Sequence, residues 1–180
     1  MAVRTRRSRN ERPPLDENSL EQAALSYAGR YATTRARLTA YLNRKVRDRG
    51  WQGAGEVSVE RLVEKMAGLG YVDDRAFAAA RAAALGRRGF GERRVSAALR
   101  AAGIGDEDSG EACEDARQGA WAAALRFAER RRIGPFAEAE GDRAAREKAL
   151  GAMLRAGHPA ELARRLVRAR PGEIPELDVD

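Results

Sequence analysis

The sequence has one cysteine, Cys113, and one histidine, His158, among its 180 residues. A single cysteine excludes a disulfide framework and any zinc site built from several cysteines, and it is typical of a reducing compartment. No run of about 18 apolar residues occurs, so no segment predicts a transmembrane helix. The basic N-terminus has no apolar stretch behind it and does not predict a secretory signal. Together these absences predict a soluble, cytoplasmic protein.

Large apolar and β-branched residues are also few. Leu, Ile, Val and Phe total 31 residues, whereas alanine alone supplies 37. Val, Ile and Thr number 16, which is too few for a sheet protein. No proline occurs between Leu15 and Gly134, and alanine and arginine are strong helix formers. We therefore predict an all-α fold with a thin core, in which helices approach one another through small side chains.

Capping residues predict where the helices begin. A capping box of Ser19 and Gln22 is expected to open the first helix, and Thr33-Thr34 the second. Further starts are expected at Ser58, Asp73, Asp106, Asp142 and Pro159, with Pro159 at the first helical position and a break near Gly119.

Glycines indicate a repeat. An apolar residue stands four positions before a helix-ending glycine at Gly50, Gly103 and Gly157, and these glycines are 53 and 54 residues apart. Such a period is typical of helical repeat proteins, and each copy has room for three helices. We predict an elongated array of three tandem three-helix repeats, flanked by tails. The expected segments are a disordered basic arm 1–17, repeats 18–70, 71–118 and 119–170, and a disordered acidic tail 171–180.

Residues that could perform chemistry are scarce. His158 stands at a predicted helix boundary, and that position favours a structural role over a ligand or general base. Cys113 lies among acidic residues, which disfavour the thiolate. The adjacent Asp73 and Asp74 are expected to cap a helix and complement its dipole rather than bind a metal. The glycine turn at 89–91 lacks the strand and the third glycine of a dinucleotide fingerprint. We predict no enzyme, no metal and no cofactor.

Arginine supplies 31 of the 34 cationic residues, and the net charge is +7. Residues 13–100 carry +6 and residues 101–171 only +1, so phosphate or an acidic protein surface is expected to bind the first two repeats. The expected contacts are Arg44, Lys45 and Arg47 on the second helix, and Arg87, Arg88, Arg93 and Arg94 around the glycine turn. The ten aromatic residues mostly occupy core-like positions and do not predict a base-stacking surface.

One block of sequence resembles a known family. It comprises Tyr71-Val72-Asp73-Asp74-x-x-Phe77-Ala78, then Arg87-Arg88-Gly89-Phe90-Gly91-x-x-Arg94-Val95 and Leu99-x3-Gly103-Ile104. The block is similar to the signature of RecX proteins, bacterial modulators of the RecA recombinase, and the similarity extends over roughly residues 20–170. The resemblance implies three tandem three-helix modules, in agreement with the glycine period. It also implies that Tyr71, Asp73, Asp74, Phe77 and Gly91 are structural and supply core, cap and turn.

The resemblance further implies a function. It implies a non-enzymatic, monomeric regulator of homologous recombination, DNA repair and the SOS response. Such a protein would bind the groove of the RecA–DNA filament, touch DNA phosphates nonspecifically, and modulate RecA ATPase and strand exchange, with inhibition expected. The residues alone leave open a helix-turn-helix-like general DNA-binding or architectural protein. A structural adaptor that self-associates through apolar helix faces is a third possibility.

Overall fold

A computed structural model describes residues 13–176 of the chain. Within them the chain forms nine α-helices and one 3₁₀ turn, and no β-strand. The prediction of an all-α fold is therefore confirmed. No helix in this part of the chain is long and apolar enough to cross a membrane. The chain divides into two compact units, one before and one after the Asp73–Asp74 peptide bond.

The first unit contains three helices: α1 (Glu17–Ala28), α2 (Arg35–Arg49) and α3 (Val59–Gly68). Each of the three contacts the other two. Their buried faces form one hydrophobic cluster, whose largest members are Leu15, Leu20, Leu38, Leu42 and Met66. Leu38 and Leu42 are one helical turn apart, so both side chains lie on the same face of α2.

The start of α1 differs from the expected one. Asp16, and not Ser19, is the N-cap: its carboxylate accepts from the Ser19 amide at 2.8 Å, and the Ser19 hydroxyl accepts from the Asp16 amide at 2.9 Å. The helix begins earlier because Leu15 is fully buried and its backbone is held by Gly50 and Gln52 at 2.9 and 2.8 Å. Residues 13–17 of the expected arm thus belong to the folded unit, while residues 1–12 lie outside the described part.

Two other predicted caps are present. The Thr34 hydroxyl accepts from the Arg37 amide at 3.2 Å, and the Asp142 carboxylate accepts from the Ala145 amide at 2.8 Å. Ser58 precedes α3 but makes no capping hydrogen bond through its side chain. Pro159 is the N-cap residue rather than the first helical residue, since its ψ of 143° is extended.

The second unit contains six helices in two groups of three. The first group is α4 (Asp74–Arg87), α5 (Glu92–Arg100) and α6 (Asp106–Gln118); the second is α7 (Ala120–Arg131), α8 (Arg143–Arg155) and α9 (Ala160–Arg168). Within each group every helix contacts the other two, and α7 also contacts α4 and α6. Each group has its own hydrophobic cluster, and the expected break separates α6 from α7 at Gly119.

Small residues form much of the second unit's core. Ala78, Ala82 and Leu85 bury the inner face of α4. In the first unit, the core role expected for Tyr71 is taken by its neighbour: Val72 is 3% exposed and belongs to that unit's hydrophobic cluster, whereas Tyr71 is 52% exposed. The chain turns after α3 at Gly70, whose φ is 77°, and of the next two side chains only the second is buried.

Candidate functional site

The turn between α4 and α5 is anchored to the core. It comprises Arg88, Gly89, Phe90 and Gly91, and the Phe90 amide donates to the Leu85 carbonyl at 3.0 Å. The Phe90 ring is half-buried and packs against both hydrophobic clusters of the second unit. The position of this turn is therefore decided by packing as well as by its own glycines.

The segment between α8 and α9 packs directly onto this turn. The Gly91 amide donates to the Ala156 carbonyl at 2.9 Å, and the Arg93 amide to the Gly157 carbonyl at 3.3 Å. The His158 Nε2 lies 3.1 Å from the carbonyl oxygen of Gly89. Since a carbonyl oxygen only accepts, Nε2 carries the proton.

Three guanidinium groups gather around Phe90. The guanidinium carbons of Arg88, Arg94 and Arg130 lie 5.5, 6.0 and 5.9 Å from the centre of the ring, within the range of cation–π attraction. Arg130 comes from α7 and also donates a hydrogen bond to the Arg88 carbonyl. Two of the predicted residues, Arg88 and Arg94, are thus brought together, and the structure adds a third.

Arg87 and Arg93 flank this group at the adjoining ends of α4 and α5. We call the set of Arg87, Arg88, Arg93, Arg94 and Arg130 the arginine turn; all five side chains are exposed. Guanidinium groups pair with phosphate or carboxylate in two-point contacts, and groups held in place lose less freedom on binding. The arginine turn is therefore equipped to bind an anionic partner.

The other predicted group lies in the first unit. Arg44 and Arg47 are exposed on α2, and Lys45 is half-buried. The Arg44 guanidinium carbon and the Lys45 ammonium lie 5.9 and 5.3 Å from the centre of the Tyr41 ring. The two predicted basic groups therefore belong to different units of the chain.

A cavity of about 570 Å³ at α7, α8 and α9 was not predicted. Its lining contains seven cationic side chains: Arg131, Arg132, Arg146, Lys148, Arg155, Arg168 and Arg170. One carboxylate, Glu140, also lines it, and pairs with Arg146 at 3.4 Å and Arg170 at 3.7 Å. The sequence did not predict this cluster because the net charge of residues 101–171 is only +1. In that sum the acidic residues of α6 offset the cations around the cavity.

Burial shifts the pKa of both the histidine and the cysteine. His158 is fully buried between α8 and α9, and this burial lowers the pKa of its imidazole, with the bond to Gly89 acting in the opposite direction. Burial also raises the pKa of the Cys113 thiol, followed by the charge of Glu92. Within residues 13–176 no group of three or more potential ligands could hold a metal ion.

The helices and their converging cations define a basic all-helical protein equipped for anionic partners. No family model matches the sequence. The chain is 34% identical over 161 residues to Regulatory protein RecX of Myxococcus xanthus (strain DK1622), and the alignment covers 84% of this chain and 86% of the relative. The chain belongs to the RecX family.

Proposed function

We propose that this protein is a non-enzymatic regulator that binds the RecA–DNA filament and modulates RecA ATPase and strand exchange, with inhibition the expected outcome. Membership of a family whose relative is named a regulatory protein supports this role. The observation that carries the proposal is the arginine turn, where Arg88, Arg94 and Arg130 share the Phe90 ring. An exposed group of fixed guanidiniums suits the phosphates and acidic side chains of a protein–DNA filament.

We also propose that the fold is an array of three three-helix repeats, near residues 18–70, 71–118 and 119–170. The nine helices fall into three groups in which every helix contacts the other two. Each group has its own hydrophobic cluster. The glycines that follow equivalent helices, Gly50, Gly103 and Gly157, all have positive φ, at 79°, 76° and 92°. Such a backbone conformation favours glycine over residues with a side chain, and this preference supports the recurrence of glycine at the period.

Several basic surfaces on one chain suit a polymeric partner. The α2 cations lie in the first unit, and the arginine turn and the cationic cavity lie in the second. Weak contacts on one chain add through effective concentration, provided that the partner presents several sites. A recombinase filament on DNA does so. We expect the protein to act as a monomer in the cytoplasm, during DNA repair, recombination and the SOS response.

The decisive experiment reverses charge on the arginine turn. Arg87, Arg88, Arg93 and Arg94 are changed together to glutamate, and binding to RecA-coated single-stranded DNA is measured by co-sedimentation, alongside RecA ATPase and strand exchange. Binding and modulation should be lost while helical circular dichroism is retained, since the four side chains are exposed. The matched control reverses four exposed arginines elsewhere: Arg61, Arg81, Arg100 and Arg117. Normal filament binding by the first variant, or equal loss in both, contradicts the proposal.

A titration at two salt concentrations separates this role from that of a general DNA-binding or architectural protein. The probes are naked single-stranded DNA, duplex DNA and RecA-coated DNA. Preference for the coated filament supports the regulator. Equal and steeply salt-dependent binding to bare DNA supports the alternative, because release of counterions from phosphates dominates such binding.

A further inference from the structure

Three of the four tyrosines lie together in the first unit. Tyr27 is on α1, Tyr31 follows the end of α1, and Tyr41 is on α2. The rings of Tyr27 and Tyr41 are stacked, with centres 4.1 Å apart and planes 17° apart, and the Tyr31 ring is tilted against Tyr27 at 5.3 Å. The fold thus assembles a row of aromatic rings that the sequence order does not reveal.

The rings border a cleft of about 430 Å³ with a basic rim. Ser26, Arg30 and Arg44 complete its lining, which holds no carboxylate, and Lys45 lies 5.3 Å from the Tyr41 ring. The cleft therefore combines flat aromatic surface with positive charge. These are the two components with which proteins bind single-stranded nucleic acid, namely base stacking and attraction of the backbone phosphates.

Tyr31 differs from the other two rings. Tyr27 and Tyr41 are half-buried and pack against the hydrophobic cluster of the first unit, whereas Tyr31 is 54% exposed and is not part of that cluster. Its backbone is nevertheless fixed, because its amide donates to the Tyr27 carbonyl at 3.0 Å. Tyr31 thus places an exposed ring at the end of this row, on a backbone held by a hydrogen bond, and the free face of that ring can accept one further flat ring.

We propose that this cleft binds a nucleobase of single-stranded nucleic acid, which stacks on Tyr31 while Arg30 and Arg44 contact the neighbouring phosphates. In a duplex the faces of the bases are already stacked on one another, so the site selects single strands. An acidic peptide would satisfy the two arginines but would gain nothing from the tyrosine ring. The site lies outside the arginine turn and does not depend on filament binding.

The test compares two oligonucleotides of about 8 nucleotides, a length within the range of known single-strand sites. One is fluorescently labelled oligothymidylate, and the other is the same backbone without bases; binding to the full chain is measured by fluorescence anisotropy. Tyr31→Ala should weaken binding of oligothymidylate about 5- to 150-fold, the range for loss of one stacking ring. The affinity of the Tyr31→Ala variant for the backbone without bases should equal that of the unaltered chain. Tyr31→Phe should bind both oligonucleotides as tightly as the unaltered chain does.

Tyr71→Ala is the matched control, since Tyr71 is 52% exposed and does not line the cleft. It should leave both affinities unchanged. A second readout is photocrosslinking with an oligonucleotide carrying 5-iododeoxyuridine, which should attach to the tryptic peptide of residues 31–35. The proposal is overturned if Tyr31→Ala binds oligothymidylate normally, if it weakens both probes equally, or if no crosslink maps to that peptide. If poly-glutamate displaces oligothymidylate, and Tyr31→Ala weakens the binding of poly-glutamate as much as that of oligothymidylate, the occupant is instead an acidic peptide. None of these measurements includes RecA. The nucleobase proposal can therefore be overturned while the filament proposal stands, and the filament proposal can be overturned while the nucleobase proposal stands.

Discussion

Replacing Gly91 with alanine tests whether the segment between α8 and α9 packs against the turn between α4 and α5. Gly91 has φ −81° and ψ 170°, a conformation that alanine adopts without strain. An added methyl group, however, would lie 2.6 Å from the carbonyl carbon of Gly157 and 2.8 Å from the His158 nitrogen. Both are backbone atoms, which cannot move aside as a flexible side chain does. The substitution should therefore force the two segments apart.

The expected cost follows from the contacts that would be disturbed. Overpacking of a tight contact costs about 1–3 kcal/mol. Separation would also stretch the hydrogen bonds from Gly91 to Ala156 and from Arg93 to Gly157, each worth about 1 kcal/mol. We expect a loss of about 2–4 kcal/mol in the free energy of unfolding of the second unit. For a chain of this size, that corresponds to a fall in Tm of about 5–15 °C.

Gly105 provides a matched control. It is also the N-cap of a helix, α6, with φ −75° and ψ 170°, but a methyl group there would meet no atom within 4 Å. Gly105→Ala should stay within about 1 kcal/mol of the unaltered protein, because reduced freedom of the unfolded chain and a poorer N-cap oppose each other.

The assay uses the two tryptophans, one in each unit. Trp51 lies in the first unit, and Trp121 on α7 packs against the cluster of the α7–α9 group. In a Trp51→Phe background, the fluorescence of Trp121 during urea unfolding reports the second unit alone. If Gly91→Ala and Gly105→Ala unfold at the same urea concentration, the close backbone contact at Gly91 is absent and the reasoning fails.

Three further predictions concern His158, Cys113 and the N-terminus. Because burial holds the pKa of His158 below its unfolded value, stability is complete above about pH 6.5 and falls by up to about 1.4 kcal/mol per pH unit as the pH drops. Urea unfolding at about pH 7 and pH 5 should show this slope, and His158→Asn should reduce it; an unchanged slope would assign it to other groups. Because the pKa of the Cys113 thiol is raised, Cys113 should react with iodoacetamide at neutral pH more slowly than the free thiol of glutathione reacts with it. In denaturant the two rates should become equal. Deletion of residues 1–17 removes the buried Leu15 and should lower Tm. Deletion of residues 1–12 removes none of the contacts described within 13–176 and should leave Tm higher than the longer deletion does. Equal Tm values for the two deletions would contradict the role of Leu15.

The sequence by itself decided the elements whose causes are local. Abundant alanine and arginine, and the absence of proline between Leu15 and Gly134, imply helices. The caps at Thr34 and Asp142 follow from hydrogen bonds within one helical turn, which depend only on neighbouring residues. The glycine period of 53 and 54 residues marked helix ends, and the motif around the glycine turn identified the family. The caps, the helix-ending glycines and the motif each depend on residues close together in sequence, and the period requires only that these local signals recur.

Only the tertiary structure decided which surfaces exist. Arg130 reaches the Phe90 ring, seven cations surround one cavity, and Tyr41 stacks on Tyr27, because helices distant in sequence pack at particular positions. Leu15 and Val72 are buried, where the sequence predicted an arm and a buried Tyr71, because long-range packing outweighs local composition at both positions. Summed charge and counts of aromatic residues carry no information about such convergence. The physical reason is that side chains of separate helices meet only once the hydrophobic faces of those helices have docked.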